Sequence, residues 1–183
     1  MERHAFNSRP GPVELQAARA ATIPDVIAPG LRLLFVGINP GLWSAATGHH
    51  FARPGNRFWR AIHQAGLIPA PLTPGRQHEL LEHGLGVTNL VGRTTASAAE
   101  LSPDELRAGA RALVIKIERY RPARVAFLGV STYRLAFGRP KATVGRQPES
   151  IADAEVWVLP NPSGLNAHYQ LPQLAAAYSA LRE

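Results

Sequence analysis

The feature that most constrains the fold is an apolar run that stops at a loop of turn-forming residues. The run Leu31–Val36 is apolar except at Arg32, which is typical of a strand buried on both faces of a parallel sheet. The next five residues, Gly37–Gly41 (Gly-Ile-Asn-Pro-Gly), favour a rigid turn. Because a strand buried on both faces needs helices on either side, the sequence predicts an α/β protein.

Strand-like and helix-like segments alternate along the rest of the chain. Ser102 and Glu105, with Pro103 between them, form the signature of a capping box at the start of a long helix. This alternation implies crossover connections and a mostly parallel sheet covered on both faces. The predicted strands are Leu31–Val36, Gly86–Val91, Arg124–Leu128 and Glu155–Leu159, and the predicted helices are Phe58–Ala65, Pro74–His83, Pro103–Tyr120, Ser131–Phe137 and Leu171–Leu181.

The length of 183 residues suits one domain preceded by a short tail. Prolines and a glycine interrupt the pattern near the N-terminus, so residues 1–28 are interpreted as a partly disordered tail. One short helix is expected in this tail, over Val13–Ala21. The folded domain is then expected to span residues 29–183.

The chain is strongly basic, with a formal net charge of +7 and a pI of about 10.7. This balance favours an anionic partner, with nucleic acid first and an anionic membrane surface second. No apolar run approaches the ~20 residues that span a bilayer, and the first residues lack the apolar stretch of a signal peptide. We therefore expect a cytoplasmic protein that is not associated with a membrane.

The absence of cysteine narrows the possible chemistry. It excludes disulfides, thiolate catalysis and Cys-ligated zinc or iron–sulfur sites. His49 and His50 form a pair, but adjacent side chains tend to diverge and no acidic residue stands nearby. We expect neither a metal nor another cofactor.

Two loops are placed at the carboxyl edge of the predicted sheet, where ligands of α/β proteins bind. The first loop, Gly37–Phe51, holds Asn39, and the second loop, Pro160–His168, carries Leu165 near its tip. Ordinary alternatives exist, because Asn39 can cap backbone groups, Phe51 can lie in the core and Leu165 can fold back onto the domain. An exposed Leu165 could instead insert as a wedge into a base stack.

Together the two loops resemble those of a known family. Gly37–Gly41 followed by Asn161–Leu165 (Asn-Pro-Ser-Gly-Leu) closely resembles the mismatch-specific uracil-DNA glycosylases, the thymine-DNA glycosylase branch of the uracil-DNA glycosylase superfamily. Gly48–Trp59 and Gly86–Val91 also look like that family, and the resemblance runs from about residue 24 to residue 181. It implies a three-layer α/β/α sandwich with a short, mostly parallel sheet. The activity implied is removal of uracil from mismatched double-stranded DNA in base excision repair.

The resemblance also implies roles for residues of the first loop. Asn39 would hold the water that attacks C1′ of the sugar. Backbone groups around Ile38 and Phe51 would bind the edge of the base, and the Phe51 ring would stack on the flipped base. Gly41 leaves room that a bulky aromatic residue closes in strict uracil enzymes, and Ser44 completes the base pocket. The family therefore also accepts 3,N4-ethenocytosine and, weakly, thymine.

In the second loop, Gly164 and Leu165 would fill the space that the flipped base leaves. Asn161 and Ser163 would shape the loop and touch backbone phosphate. The segment Gly48–Trp59 contains two arginines, Arg53 and Arg57, which either contact phosphates or lie on a solvated face. The candidate phosphate contacts are Arg53, Lys141 and Arg146.

Four residues depart from the pattern of relatives. Trp43 stands where small residues are common, so it packs beneath the first loop or narrows the pocket. Asn89 and Gly92 stand where some relatives carry Lys and Asp, and Ala167 replaces an Arg. Trp43 and Asn89 are therefore accessory site candidates, and the order of substrates stays open.

The expected partner is double-stranded DNA that contains a mismatched or damaged base. The resemblance implies a monomeric, nucleoid-associated protein of bacterial type whose product passes to an abasic-site endonuclease. Neither Lys116 nor Lys141 is placed for Schiff-base chemistry, so no lyase activity is expected.

Two other classes of function are weighed against the glycosylase. A DNA-binding module could keep the fold without activity, although Asn39 and Phe51 are retained. A small-molecule esterase or nucleotide hydrolase would need a nucleophile elbow or a carboxylate or metal cluster, and Ser163 stands in Pro-Ser-Gly instead.

Overall fold

A computed structural model describes residues 9–182, which form a five-stranded central sheet. The strands in chain order are β1 (Leu33–Gly37), β2 (Leu85–Asn89), β3 (Arg124–Leu128), β4 (Gly145–Ile151) and β5 (Ala154–Leu159). Their spatial order is β2-β1-β3-β5-β4. Only the pairing of β4 with β5 is antiparallel in this sheet, which confirms the mostly parallel arrangement.

Short helices connect the strands, and one long helix follows β2. They are α1 (Pro12–Ala17), α2 (Leu42–Thr47), α3 (Phe58–Gln64), α4 (Pro103–Tyr120), α5 (Val130–Phe137) and α6 (Leu171–Ser179), with a kinked 3-10 helix over Pro74–His83. The predicted capping box starts α4, because Ser102 Oγ accepts from the Glu105 N–H at 3.2 Å and the Glu105 carboxylate accepts from the Ser102 N–H at 2.9 Å.

Each face of the sheet buries its own layer of helices. Phe35 of β1 points to the face covered by α3 and α6, where Phe58 and Tyr178 contact it. Leu34 and Val36 point to the opposite face, which α4 and α5 cover. Side chains alternate across a strand, so one apolar strand supplies both cores. The three-layer α/β/α sandwich is confirmed.

Strand β4 was not predicted from the sequence. It lies at the edge of the sheet, its side chains alternate toward solvent, and it contains Pro148, which cannot donate to a ladder. Its register with β5 shifts between Arg146 and Ser150. An edge strand of this kind lacks the apolar run that marks the buried strands.

The N-terminal segment packs on the domain, and Ala18 and Val26 are buried there. Val26 exchanges both backbone hydrogen bonds with Val87 of β2, at 2.9 and 2.8 Å, and so covers the edge of the sheet. Asp25 forms an ion pair with Lys116 at 2.5 Å and accepts from the Thr88 hydroxyl at 2.7 Å. Residues assigned to the tail are thus part of the packed structure, while residues 1–8 lie outside the described part of the chain.

Within residues 9–182, no helix combines the length and the apolar character that crossing a bilayer requires.

Candidate functional site

A cavity of about 230 Å³ opens at the carboxyl edge of the parallel strands. The first loop, the second loop and a third segment, residues 92–98 after β2, meet around it. Ten of the predicted site residues line this cavity, namely Ile38, Asn39, Gly41, Ser44, Phe51, Arg53, Asn89, Asn161, Ser163 and Leu165. The structure therefore brings together two loops that lie more than a hundred residues apart in the chain.

The side-chain amide of Asn39 is held in one orientation. Its Nδ2 donates to the Arg93 carbonyl at 2.8 Å, to Thr95 Oγ1 at 2.7 Å and to the Pro40 carbonyl at 3.3 Å. Carbonyl oxygens only accept, so the atom facing them must be the nitrogen. The nitrogen thus bonds to two backbone carbonyls, as the alternative interpretation predicts, and to the Thr95 hydroxyl. No group of residues 9–182 donates to Oδ1, so this oxygen can accept a hydrogen bond from a ligand.

Phe51 forms an aromatic wall of the cavity. Its ring stacks on the buried Phe58 with centroids 4.1 Å apart, and its backbone lies in the left-handed region at φ 53°. A non-glycine residue with positive φ is uncommon and is held there by its surroundings. Ser44 contributes to this, because its Oγ accepts from the Ala52 N–H at 3.2 Å.

Gly37 leaves space where the cavity meets the sheet. A Cβ at Gly37 would lie 2.6 Å from Asn89 Oδ1 and 3.3 Å from Phe51 Cζ. Both distances are shorter than ordinary carbon contacts, so the close approach of these two side chains requires glycine at this position.

The orientation of Asn89 follows from the buried His50. The Nε2 of His50 lies 3.0 Å from the Pro24 carbonyl and must carry the proton, so Nδ1 of the neutral ring is an acceptor. Asn89 Nδ2 faces this Nδ1 at 3.5 Å, which leaves Asn89 Oδ1 toward Gly37. Burial lowers the pKa of His50, only partly opposed by the hydrogen bond to Pro24, and so favours the neutral ring.

The second loop is ordered by its own side chains. Asn161 Oδ1 accepts from the Ser163 N–H at 2.9 Å, and Ser163 Oγ accepts from the Leu165 N–H at 3.2 Å. Leu165 is 75% exposed and lines the cavity, so it does not fold back into the core. Gly164 does not line the cavity; a Cβ there would lie 2.8 Å from the Gly55 carbonyl oxygen, so the tip rests on the chain before α3.

The remaining candidates divide between the cavity and other places. Arg53 is exposed and lines the cavity, whereas Trp43 is half-buried on α2 and is not part of its lining. Arg146 pairs with Glu155 at 3.0 Å, and Lys141 lines a separate depression. The expectation for Arg57 was wrong. This residue is only 7% exposed and lies beneath the second loop, so it is neither on a solvated face nor accessible to a phosphate.

Several lining residues were missed from the sequence. The most important is Thr95, which orients Asn39, and the others include Ile23, Gly37, His50, Asn56 and Leu128. A signal for Thr95 existed, since the polar, glycine-containing segment 92–98 follows a predicted strand and must emerge at the same edge of the sheet.

Among residues 9–182, no three His, Asp or Glu side chains lie close enough to hold a metal ion.

The fold and the cavity define a three-layer α/β protein with a ligand pocket built from amide groups and an aromatic ring. Residues 24–182 match the family described as the Uracil DNA glycosylase superfamily. The chain belongs to the uracil DNA glycosylase superfamily. Membership implies a DNA glycosylase, a hydrolase of N-glycosyl bonds that acts on DNA.

A solved structure supports the fold. A solution NMR structure from Methanosarcina acetivorans, described as a candidate uracil DNA glycosylase, is 18% identical to this chain with a TM-score of 0.56. The match covers 89% of this chain and 98% of that one. At this identity the likeness establishes the shared fold.

Proposed function

We propose that the protein is a monofunctional glycosylase of the mismatch-specific branch, which excises uracil from mismatched double-stranded DNA during base excision repair. The observation that carries the proposal is the fixed amide of Asn39, whose oxygen is available at a cavity walled by Phe51. A planar base fits such a wall, and a hydrogen-bond acceptor beside it can orient water.

The chemistry follows from the neutral charge of Asn39. In this proposal the flipped base stacks on Phe51, and Asn39 Oδ1 accepts a hydrogen bond from the water that attacks C1′. An amide orients water but is a poor base, so the glycosidic bond must be largely broken before the water adds. Backbone groups around Ile38 and Phe51 would stabilise the negative charge that develops on the departing base.

Asn89 is proposed to read the edge of the base. Its Oδ1 lies beside Gly37, with its Nδ2 toward His50. An acceptor in that position suits the imide N–H of uracil or thymine, so Asn89 would favour these bases over ethenocytosine, which has no such donor.

The space around Gly41 bears on the substrate range. A Cβ built at Gly41 meets no atom within 4 Å, and Trp43 does not line the cavity. Both observations support a pocket that admits ethenocytosine and, weakly, thymine, with selectivity coming partly from the lower cost of extruding a mismatched base.

The second loop is proposed to act on the DNA duplex. The exposed side chain of Leu165 suits a wedge that fills the gap left by the flipped base, with Gly164 beside it and Asn161 and Ser163 near the backbone phosphates. Arg53 is a further phosphate contact. The proposed partner is therefore a mismatched duplex bound by a monomer, at the nucleoid, with an abasic-site endonuclease acting next.

Absence of lyase activity is also part of the proposal. Lys116 Nζ is bonded to Asp25 and to Thr88 Oγ1, at 2.5 and 2.9 Å, and Lys141 does not line the cavity. Neither amine is arranged to attack C1′.

The test is base release from labelled duplexes that carry one G·U, A·U, G·T or G·ethenocytosine pair, and from single-stranded uracil DNA. EDTA is present throughout, and alkali reveals abasic sites. We expect release at G·U that is lost in Asn39→Ala and kept in Gln64→Ala, a control amide exposed on α3. Duplex binding without abasic sites on any substrate would instead favour the inactive DNA-binding module.

A further inference from the structure

Arg57 bonds to the second loop and to the residues that follow it. Its backbone N–H donates to the Pro162 carbonyl at 3.0 Å. Its guanidinium Nη1 and Nη2 donate to the backbone carbonyls of Ser163, Asn166 (2.9 Å) and Tyr169 (2.6 Å) and to Gln170 Oε1 (3.3 Å). The guanidinium thus bonds to two residues within the loop and to the two residues that follow it.

The charge of Arg57 has no carboxylate partner among the ion pairs of residues 9–182. The residue is 7% exposed, and its Nε has no hydrogen-bond partner in the described part of the chain. Burying an unpaired cation is unfavourable unless its hydrogen bonds are supplied by other groups. Neutral carbonyls supply them here, so this cation is held in place by the geometry of the loop.

The bonds to Arg57 also decide which groups the second loop shows to a duplex. Ser163 and Asn166 turn their carbonyl oxygens inward to the guanidinium, away from approaching phosphates. The tip beside them rests on Gly55 and leaves Leu165 exposed. The uncompensated positive charge beneath the loop adds attraction for the DNA backbone.

We propose that Arg57 is a positioning residue for base flipping, which holds the second loop in the conformation that presents Leu165 to the duplex. This inference rests on the proposed function. Arg57 does not line the cavity, so it affects extrusion of the base and not cleavage of the glycosidic bond.

The test compares two duplexes under single-turnover conditions. One carries a G·U pair, and the other carries its uracil as an unpaired, extrahelical bulge that needs little extrusion. Arg57→Gln should slow release from G·U about tenfold or more, because several charge-assisted hydrogen bonds are lost, and slow release from the bulge by less than about threefold. Arg57→Lys, which keeps the charge without the planar fork, should fall between.

Arg60→Gln is the matched control, because Arg60 is an exposed arginine on α3, three residues after Arg57. It should leave both rates within about twofold of the wild type, since an exposed charge contributes little. Equal slowing of both substrates by Arg57→Gln, or unchanged rates on both, would overturn the inference. Thermal melting identifies a variant that fails to fold, in which case Arg57→Lys carries the comparison.

A second readout separates this inference from the glycosylase proposal. 2-Aminopurine placed next to the uracil reports unstacking without base release, measured in an Asn39→Ala background. We expect the fluorescence increase on binding to shrink when Arg57→Lys is added. If the fluorescence increase depends on Arg57 but the wild type releases no base, the glycosylase proposal alone is refuted. If the wild type releases the base but the fluorescence increase does not depend on Arg57, the positioning role alone is refuted.

Discussion

Asn39 Nδ2 donates to Thr95 Oγ1 over 2.7 Å and so ties the loop after β1 to the segment after β2. The Thr95 N–H also donates to the Pro40 carbonyl at 3.1 Å, and Thr95 is 1% exposed. The orientation of the amide at the cavity is therefore set by a buried residue 56 positions further along the chain.

Replacing Thr95 by valine tests this link. Thr95→Val keeps the shape of the side chain and removes one acceptor of Asn39, while the Arg93 carbonyl still holds the amide. Loss of one hydrogen bond of ~0.5–1.5 kcal/mol predicts base release slowed by about 2- to 13-fold in single-turnover assays. Thr94→Val is the control, because the Thr94 hydroxyl bonds to the Ala21 carbonyl and Thr94 does not line the cavity. Equal rates for the two variants would contradict the link.

Asn39→Asp is expected not to improve catalysis at neutral pH. An aspartate here would place a carboxylate oxygen where the carbonyls of Arg93 and Pro40 lie 2.8 and 3.3 Å away. Oxygen facing oxygen disfavours the charged form, so the pKa of the new carboxyl should be raised. The variant should be slower than the wild type near pH 6 and gain activity as the pH rises, as measured in a pH–rate profile. A flat profile above the wild type would show that the site accepts a carboxylate.

Gly37→Ala is expected to be destabilising because of Asn89. The new Cβ would lie 2.6 Å from Asn89 Oδ1, and overpacking of this kind costs about 1–3 kcal/mol. Truncation in Asn89→Ala removes that oxygen, so the double variant should be more stable than the sum of the single changes predicts. Urea denaturation of all four proteins in the cycle measures this coupling. Additive effects would place the strain elsewhere.

The buried His50 is expected to make the folded protein less stable in acid. Burial lowers its pKa in the folded state below the ordinary value of 6.5, so the unfolded chain binds more protons below that pH. The contribution is fully present above about pH 6.5 and is lost as the pH falls, with a slope of at most about 1.4 kcal/mol per pH unit for one proton. The free energy of unfolding, compared at pH 7.5 and 5.5, should change less in His50→Gln than in the wild type. His63→Gln on α3 serves as the control and should behave like the wild type.

The layered fold could be predicted because local signals agree with it. The capping box at Ser102 and the apolar run at β1 depend on neighbouring residues alone, and the structure contains both. The same reasoning missed β4, whose polar residues pair only because β5 stands beside them. It also assigned Val26 to a tail, since nothing near it in the sequence points to the edge of β2.

The sequence by itself determined the alternation of elements and the two loops, because strand periodicity, capping and turn chemistry act over a few residues. It also placed those loops at one edge, since parallel strands end together. Only the tertiary structure decided which atom of Asn39 faces the cavity, because that depends on acceptors from Arg93 and Thr95. The buried position of Arg57 likewise depends on tertiary contacts. An arginine exposes its charge unless enough acceptors surround it, and these come from a loop more than a hundred residues away in the chain.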